Sequence, residues 1–219
     1  MAAAQIAPPV FKGALASVSP LTPLGTMVAF QYNPATLTRT LAARTTGGED
    51  GATGALRFAG PPEESVKLSV ELDATDQLEA GDPVTERLGL LPALAALEAM
   101  LYPASAVVVA NEVLARAGIV EILPVEAPLT LLVWGAGRIL PVAITEFSVT
   151  EEAFDLALNP VRAKVDLGLK VLSYSELGLL SPGGALSLAH HIAIEALAVI
   201  GASGALPGLI GNAAGIGGR

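Results

Sequence analysis

Two small groups of titratable residues have types and spacings that suit chemistry. Glu151, Glu152 and Asp155 lie close together in the sequence, and neighbouring carboxylates are what general acid–base catalysis uses. His190 and His191 are adjacent, and imidazole is a common metal ligand. Adjacent side chains on a helix point about 100° apart, and structural metal sites need three or four convergent ligands. We therefore expect the histidine pair to be ordinary helix surface, without a metal.

The remaining chemical signals are also weak. The acidic segment 151–155 is predicted to be a solvated turn between two strands, which is the usual place for such residues. The glycine-rich segments 47–60 and 201–218 match neither a dinucleotide-binding fingerprint nor a phosphate-binding loop. The chain has no cysteine, which excludes disulfides and thiol nucleophiles. We predict no catalytic residue, no cofactor and no metal, and so no enzyme.

The elements that position these residues are clearest between residues 139 and 173. Residues 161–171 alternate apolar and polar side chains, which predicts an antiparallel strand with one dry face and one charged face. In the preceding strand the apolar phase slips near Thr145 and Glu146, and such a slip predicts a β-bulge. A charged face on so long a hairpin suggests a surface that another subunit meets. The candidate assembly residues on this hairpin are Arg162, Lys164, Asp166, Lys170, Glu151 and Glu152.

The rest of the chain is predicted to be mainly β. Residues 1–26 are proline-rich and are expected to form an extended arm. Residues 27–175 show several short strands, a leucine-striped helix near residues 90–101, and an insertion at 104–125. Within the insertion, residues 107–114 fit either strand or helix, and residues 119–125 are expected to be extended. Trp134 is expected to pack at the end of the domain. The predicted fold class is an antiparallel β-barrel or sandwich with one flanking helix, plus a C-terminal apolar helix.

The C-terminal segment 182–219 differs in composition from the rest. Residues 185–200 are predicted to form a helix that is apolar almost all round, followed by a Gly/Ala tail. This helix is shorter than the roughly 20 residues that span a bilayer. We therefore prefer packing against a partner subunit, through residues such as Leu188 and Ile192, and expect no membrane contact; a membrane surface remains the alternative.

Composition excludes some partners. Lys and Arg total 12 against 21 Asp and Glu, giving a formal charge of −9. Binding to nucleic acid needs a basic footprint, so no nucleic acid is expected. Only 4% of residues are aromatic, so the core must consist of Ala, Val, Leu and Ile. No secretory signal is visible at the N-terminus, which predicts a cytoplasmic location.

Several motifs, taken in order, resemble the tube-domain proteins of contractile injection systems. The segment "VAFQYNP" at residues 28–34, followed by "LTR" at 37–39, is similar to the N-terminal segment of that family. The strand "SVKLSVELD" at 65–73, "LYP" at 101–103, "LLVWG" at 131–135 and the hairpin 139–173 follow in the family's order. The resemblance covers about residues 11–175, and the most similar type is the tube-like baseplate adaptor that usually carries a LysM module.

This resemblance implies that the β-barrel or sandwich is of phage tail-tube type, and it implies a structural role. Such adaptors form a ring, in this family a hexamer, between the spike-hub and the inner tube of a phage tail-like particle, next to sheath or baseplate wedge components. Residues 182–219 do not look like a LysM module, so the terminal helix stands in its place. Two alternatives remain open: the bulk inner tube subunit of the same machine, and a monomeric β-barrel that binds an apolar ligand or a membrane.

Overall fold

Most strands belong to one antiparallel sheet in the computed structural model, which describes residues 12–19, 22–30, 32–46, 57–118, 128–135 and 137–213. Seven strands run in the order β2-β1-β7-β8-β9-β6-β3, and β4 pairs with β5 in a separate small sheet. The strands are β1 (Ala14–Ser19), β2 (Thr22–Ala29), β3 (Leu37–Ala42), β4 (Thr45–Thr46), β5 (Arg57–Phe58), β6 (Glu63–Asp73), β7 (Leu129–Val133), β8 (Ile139–Phe154) and β9 (Pro160–Val171). The helices are α1 (Thr75–Glu79), α2 (Pro83–Leu88), α3 (Leu91–Glu98), α4 (Ser105–Arg116), α5 (Tyr174–Leu177) and α6 (Pro182–Ala213).

The core lies on one face of the large sheet. In β6 every second residue from Val66 to Leu72 is buried, and in β9 the same holds from Ala163 to Leu169. The two strands pair so that Val66 faces Leu169. Leu94 and Leu97 of α3 join the same cluster, so this helix covers part of the apolar face. Burying each such side chain contributes about 1.5–3 kcal/mol, which makes this face the main source of stability.

The predicted β-bulge is present in β8. Its pairing with β9 shifts by one residue between Ile144 and Glu146, which leaves Thr145 as the extra residue. Opposite the bulge is Gly168, where an added Cβ would lie 2.7 Å from the Cβ of Glu146. The glycine therefore leaves room for Glu146. The bulge also returns Phe147 to the apolar face after the phase slip.

The segment that carries the "FQYNP" motif is tied into the core at the start of β1. Phe30 is fully buried, and its ring centroid lies 6.5 Å from that of Trp134. Gly13 leaves room for this ring, because an added Cβ would lie 2.7 Å from Phe30. The Gly13 amide donates to Asn33 Oδ1 at 2.9 Å, and the Phe30 amide donates to the Gly13 carbonyl at 2.7 Å. Trp134 thus packs against the end of the core, as predicted.

The predicted fold class is confirmed at the level of a mainly antiparallel β fold with a flanking helix and a C-terminal apolar helix. The predicted N-terminal arm is wrong from Ala14 onward, because β1 and β2 belong to the main sheet and β1 lies between β2 and β7. Proline disfavours central strands, but β2 is at the edge of the sheet, where the missing N–H of Pro23 is tolerated. Residues 1–11 lie outside the described part of the chain.

The helices differ from the sequence prediction mainly in number. The insertion 104–125 contains α4, so its helical alternative is correct; residues 119–127 are not described. Helices α1, α2 and α5 were not predicted, because each is too short to show an apolar period. A start signal for α2 was visible: Asp82 accepts a hydrogen bond from the Thr85 amide at 2.8 Å and precedes Pro83.

The C-terminal helix is much longer than predicted. It runs over 32 residues from Pro182 to Ala213, so the expected end at Ile200 and the Gly/Ala tail after it are wrong. An interior glycine costs a helix only about 0.5–1 kcal/mol relative to alanine, so Gly201 alone does not stop it. The length argument against membrane contact no longer holds, since it assumed the shorter helix.

Replacing Phe30 by alanine tests the role of the single large aromatic side chain in the described core. We expect Phe30→Ala to lower the free energy of unfolding by about 3–5 kcal/mol, because it leaves a cavity among fully buried leucines and valines. Phe58→Ala is the matched control, since Phe58 is 77% exposed, and should change stability little. Urea unfolding followed by far-UV circular dichroism measures both. Equal losses in the two variants would contradict this description of the core.

Candidate assembly surface

The face of the sheet opposite the core carries a band of charged side chains across three strands. Period-2 alternation places them there, since in β6 and β9 each charged residue of the band lies next in sequence to a buried one. We call this band the charged ribbon. Its members are Lys67, Glu71 and Asp73 of β6, Arg162, Lys164, Asp166 and Lys170 of β9, and Glu146 and Glu152 of β8.

One end of the charged ribbon is fixed by an arginine–aspartate pair. Arg162 donates from Nη2 at 2.9 Å and from Nε at 3.0 Å to Asp73 Oδ2. Asp73 also accepts hydrogen bonds from the hydroxyl and the amide of Thr75. The Thr75 hydroxyl is the main reason why the pKa of Asp73 is lowered, followed by the Thr75 amide and then by Arg162. The carboxylate is thus held ionised and in place at the point where β6 leads into α1.

The other end of the ribbon is held by two lysine pairs. Lys67 Nζ lies 3.0 Å from Glu146 Oε2, the carboxylate that packs over Gly168. Lys170 Nζ lies 2.6 Å from Glu176 Oε1, and Glu176 also accepts from the Ser173 amide in a capping box at the start of α5. The hydrogen bond from Lys170 is the main cause that lowers the pKa of Glu176 to about 2.

The centre of the charged ribbon has no such pairs. Lys164 and Asp166 are both exposed, and their side chains make no hydrogen bond or ion pair to any described residue. Lys164 stands opposite Glu71, and Asp166 stands opposite Ser69. The side chains of neither pair form a hydrogen bond or an ion pair with each other. Exposed charges that are not already paired remain available to a partner of complementary charge. The ribbon therefore has fixed ends and a free centre.

The acidic segment does not form a carboxylate cluster. Glu151 and Glu152 are the last part of β8 and not a turn, so the predicted turn 151–155 is wrong; the chain reverses at residues 155–159. Adjacent strand residues point to opposite faces, so only Glu152 lies on the side of Arg162. Asp155 is used within the turn itself. It accepts from Asn159 Nδ2 and from two backbone amides, and the Asn159 side chain is the main cause that lowers its pKa.

The histidine pair is only partly ordinary surface. His191 Nε2 lies 3.6 Å from Glu195 Oε1, one helical turn further along, and its ring stacks on Tyr174 at 6.0 Å between centroids. The prediction is wrong for His190, whose Nε2 is buried and has no hydrogen-bond partner among the described residues. Of the two apolar candidates on α6, Leu188 is half-buried and Ile192 is exposed.

The least exposed ion pair among the described residues was also missed by sequence reasoning. Arg39 Nε lies 2.6 Å from Glu64 Oε1, and Glu64 is buried on the apolar side of the sheet. The alternation in β6 gave a signal of this burial, because Glu64 lies on the same face of the strand as Val66 and Leu68. A buried carboxylate needs a partner, and β3 supplies the arginine from the neighbouring strand. Within the described residues, no group of three or more histidines and carboxylates could hold a metal ion.

Comparison with protein-family models and with curated proteins finds no match to this chain. The link to any family therefore rests on the motifs of the sequence, and the function has to be argued from the surfaces that the fold presents.

The pair between Lys170 and Glu176 predicts a pH dependence. The folded pKa of Glu176 is about 2, below its ordinary value of 4.5, so this carboxylate adds stability above about pH 4.5 and loses that contribution as the pH falls towards 2. Glu176→Gln should therefore be less stable than the parent at neutral pH, and the difference should vanish near pH 2. Urea unfolding across this pH range measures it.

Glu79→Gln is the control, since Glu79 is an exposed carboxylate in no ion pair of the described part of the chain. The interpretation fails if Glu176→Gln and the parent differ by the same amount at every pH.

Proposed function

We propose that this chain is a structural subunit of a contractile injection system, and that it forms an adaptor ring in the baseplate that joins the spike-hub to the inner tube. The observation that carries the proposal is the β8–β9 hairpin. Its strands have 16 and 12 residues, against about 5–6 in an ordinary strand, with a dry face inside and the charged ribbon outside. A long, stiff, charged surface of this kind suits contact with another protein subunit and offers no reaction chemistry.

The edges of the sheet also favour assembly. Within the described residues the seven-stranded sheet ends at β2 on one side and at β3 on the other. Met27 in β2 is 68% exposed and Leu41 in β3 is 52% exposed. Strand edges attract pairing with other chains and are usually covered in a native protein. A ring built from head-to-tail contacts joins two different surfaces of each subunit, and two unlike edges suit that arrangement.

The motif that resembles tube-domain proteins has a structural role in this chain, which agrees with the proposal. Phe30 and Asn33 of "FQYNP" fix the start of β1 against the core. The partners that the resemblance implies are further copies of this chain in a hexameric ring, the spike-hub protein, the inner tube protein, and sheath or baseplate wedge components. Assembly would take place in the cytoplasm, within a phage tail-like particle.

The adaptor role fits this chain better than the role of the bulk tube subunit. A stacked tube repeats the same contacts above and below every ring, and leaves little space for projecting elements. Helix α4 has no buried residue, and the side chains of α6 are exposed from residue 194 to residue 202. A ring that occurs once, at the end of a tube, has room for both helices.

The centre of the charged ribbon offers a direct test. Lys164→Glu combined with Asp166→Lys inverts the two unpaired charges without changing the net charge. Like charges placed across a subunit contact are strongly unfavourable, so recovery of tube and spike proteins with the tagged chain from its native host should fall about tenfold or more. The matched control is Glu86→Lys with Arg87→Glu, an equal inversion at two exposed positions of α2.

Quantitative mass spectrometry of the recovered proteins measures the effect, and circular dichroism confirms that both variants are folded. Recovery of tube, sheath and spike proteins with the parent, lost in the ribbon variant alone, supports the proposal. If the parent recovers none of these proteins, the proposal is wrong and the monomeric binding module stands. If both variants recover them equally, the charged ribbon is not the assembly surface.

A further inference from the structure

The C-terminal helix α6 is apolar to a degree that the rest of the fold does not explain. Its first 21 residues, Pro182–Ala202, include an 18-residue window with a mean hydropathy of 1.6, and they contain no lysine or arginine. Their only carboxylate is Glu195, which lies 3.6 Å from His191 one turn earlier on the same helix. The helix therefore carries almost no charge that needs water.

Only the start of this helix packs against the rest of the protein. Gly183 and Gly184 are buried close to Leu177 and to the Gly178 carbonyl, and Leu188 and His190 are half-buried, but from His191 to Ala202 every residue except Ala193 is exposed. Successive helix residues rotate by about 100°, so exposed residues at several spacings point to all sides. The exposed large side chains are Ile192, Ile194, Leu197, Val199 and Ile200. The helix thus leaves the domain with its apolar surface open all round.

The common explanations for such a helix do not apply. A core helix of a soluble protein passes the same test of length and composition, but it is mostly buried, and this one is not. A secretory signal lies near the N-terminus, whereas α6 follows the whole folded domain. What remains is an environment outside the chain that accepts apolar side chains.

The length and the symmetry of the helix select among such environments. Beyond His190 the helix continues for 23 residues to Ala213, about 34 Å at 1.5 Å per residue, which is enough to cross the roughly 30 Å hydrocarbon core of a bilayer. A single helix docked in a protein groove buries one face and keeps a polar face for water. Helix α6 has no continuous polar face in this window, and a lipid environment is apolar on every side.

We infer that α6 inserts into a lipid bilayer and ties the folded domain to a membrane surface. This inference does not depend on the role in an injection machine, because it rests on the helix alone. Since α6 has no cation and the chain has a formal charge of −9, insertion should not need anionic lipid. Uncharged phosphatidylcholine vesicles are therefore the appropriate probe.

The absence of cysteine from the chain allows a specific labelling test. Val199→Cys places one thiol on α6, at a position that is 70% exposed, and Val84→Cys places one on α2, at a position that is 52% exposed. The full-length variants are treated with a membrane-impermeant maleimide with and without phosphatidylcholine vesicles. We expect vesicles to slow labelling at position 199 about tenfold or more and to leave position 84 unchanged.

Flotation of the vesicles in a density gradient gives a second readout that does not need cysteine. The parent chain should float with the vesicles, and Leu197→Lys combined with Ile200→Lys should reduce the floating fraction about tenfold or more, because a charged side chain is costly within hydrocarbon. Val84→Lys combined with Leu88→Lys, two exposed apolar positions on α2, is the matched control and should float like the parent.

Two results would overturn the inference. Labelling at position 199 that is equally fast with and without vesicles, together with a parent chain that does not float, would show that the helix stays in water. Protection at position 199 that appears without lipid and increases with protein concentration would show that a second copy of the chain covers the helix.

Discussion

The fold depends on one constraint, the alternation of apolar and polar residues in β6 and β9, which the bulge in β8 keeps in phase with its neighbour. This period places the core on one side of the sheet and the charges on the other. A slip of one residue in any of these strands would move apolar side chains into water and charges into the core. The bulge at Thr145 is the one described place where β8 and β9 lose register, and Gly168 opposite it provides the space.

The separation of apolar and charged faces also explains which surface of the protein is available to another subunit. The core is built from small aliphatic side chains, and Phe30 is the single aromatic residue that is fully buried in the described part. Charge is concentrated on the outer face, where Arg162–Asp73, Lys67–Glu146 and Lys170–Glu176 hold side chains in fixed positions. Exposed pairs of this kind contribute little to stability, typically about 0–1 kcal/mol each. Their effect is to order the ribbon around Lys164 and Asp166.

Sequence reasoning succeeded where a short local pattern determines the structure. The faces of β9, the bulge in β8 and the buried stripe of α3 all follow from periodicity. It failed where the outcome depends on distant parts of the chain. The proline-rich N-terminus becomes strand because β7 offers β1 a paired edge, and α6 continues past Gly201 because one interior glycine costs too little to end it. The sequence correctly predicted that the charged residues of β9 share one face of the strand. It did not predict their partners Asp73 and Glu176, since only the folded structure brings these residues together.

The ring and the apolar helix are separate proposals, and together they have a simple physical consequence. If several copies of the chain form one ring, their α6 helices are held close together. Linked binding elements raise the effective affinity for a common surface without any new contact. A ring of this kind would hold to a bilayer more strongly than one copy does. The long hairpin of each subunit would then contact other protein subunits, and its terminal helix would contact the bilayer.

The central claim is that this chain is an adaptor ring, and electron cryomicroscopy of particles purified from the native host through a tag on this chain tests it most directly. The account predicts one ring of this chain between the spike and the first layer of the inner tube, with the β8–β9 hairpin at a contact between subunits. Density for this chain repeated along the whole tube, or purified material without any tube or spike, would contradict it.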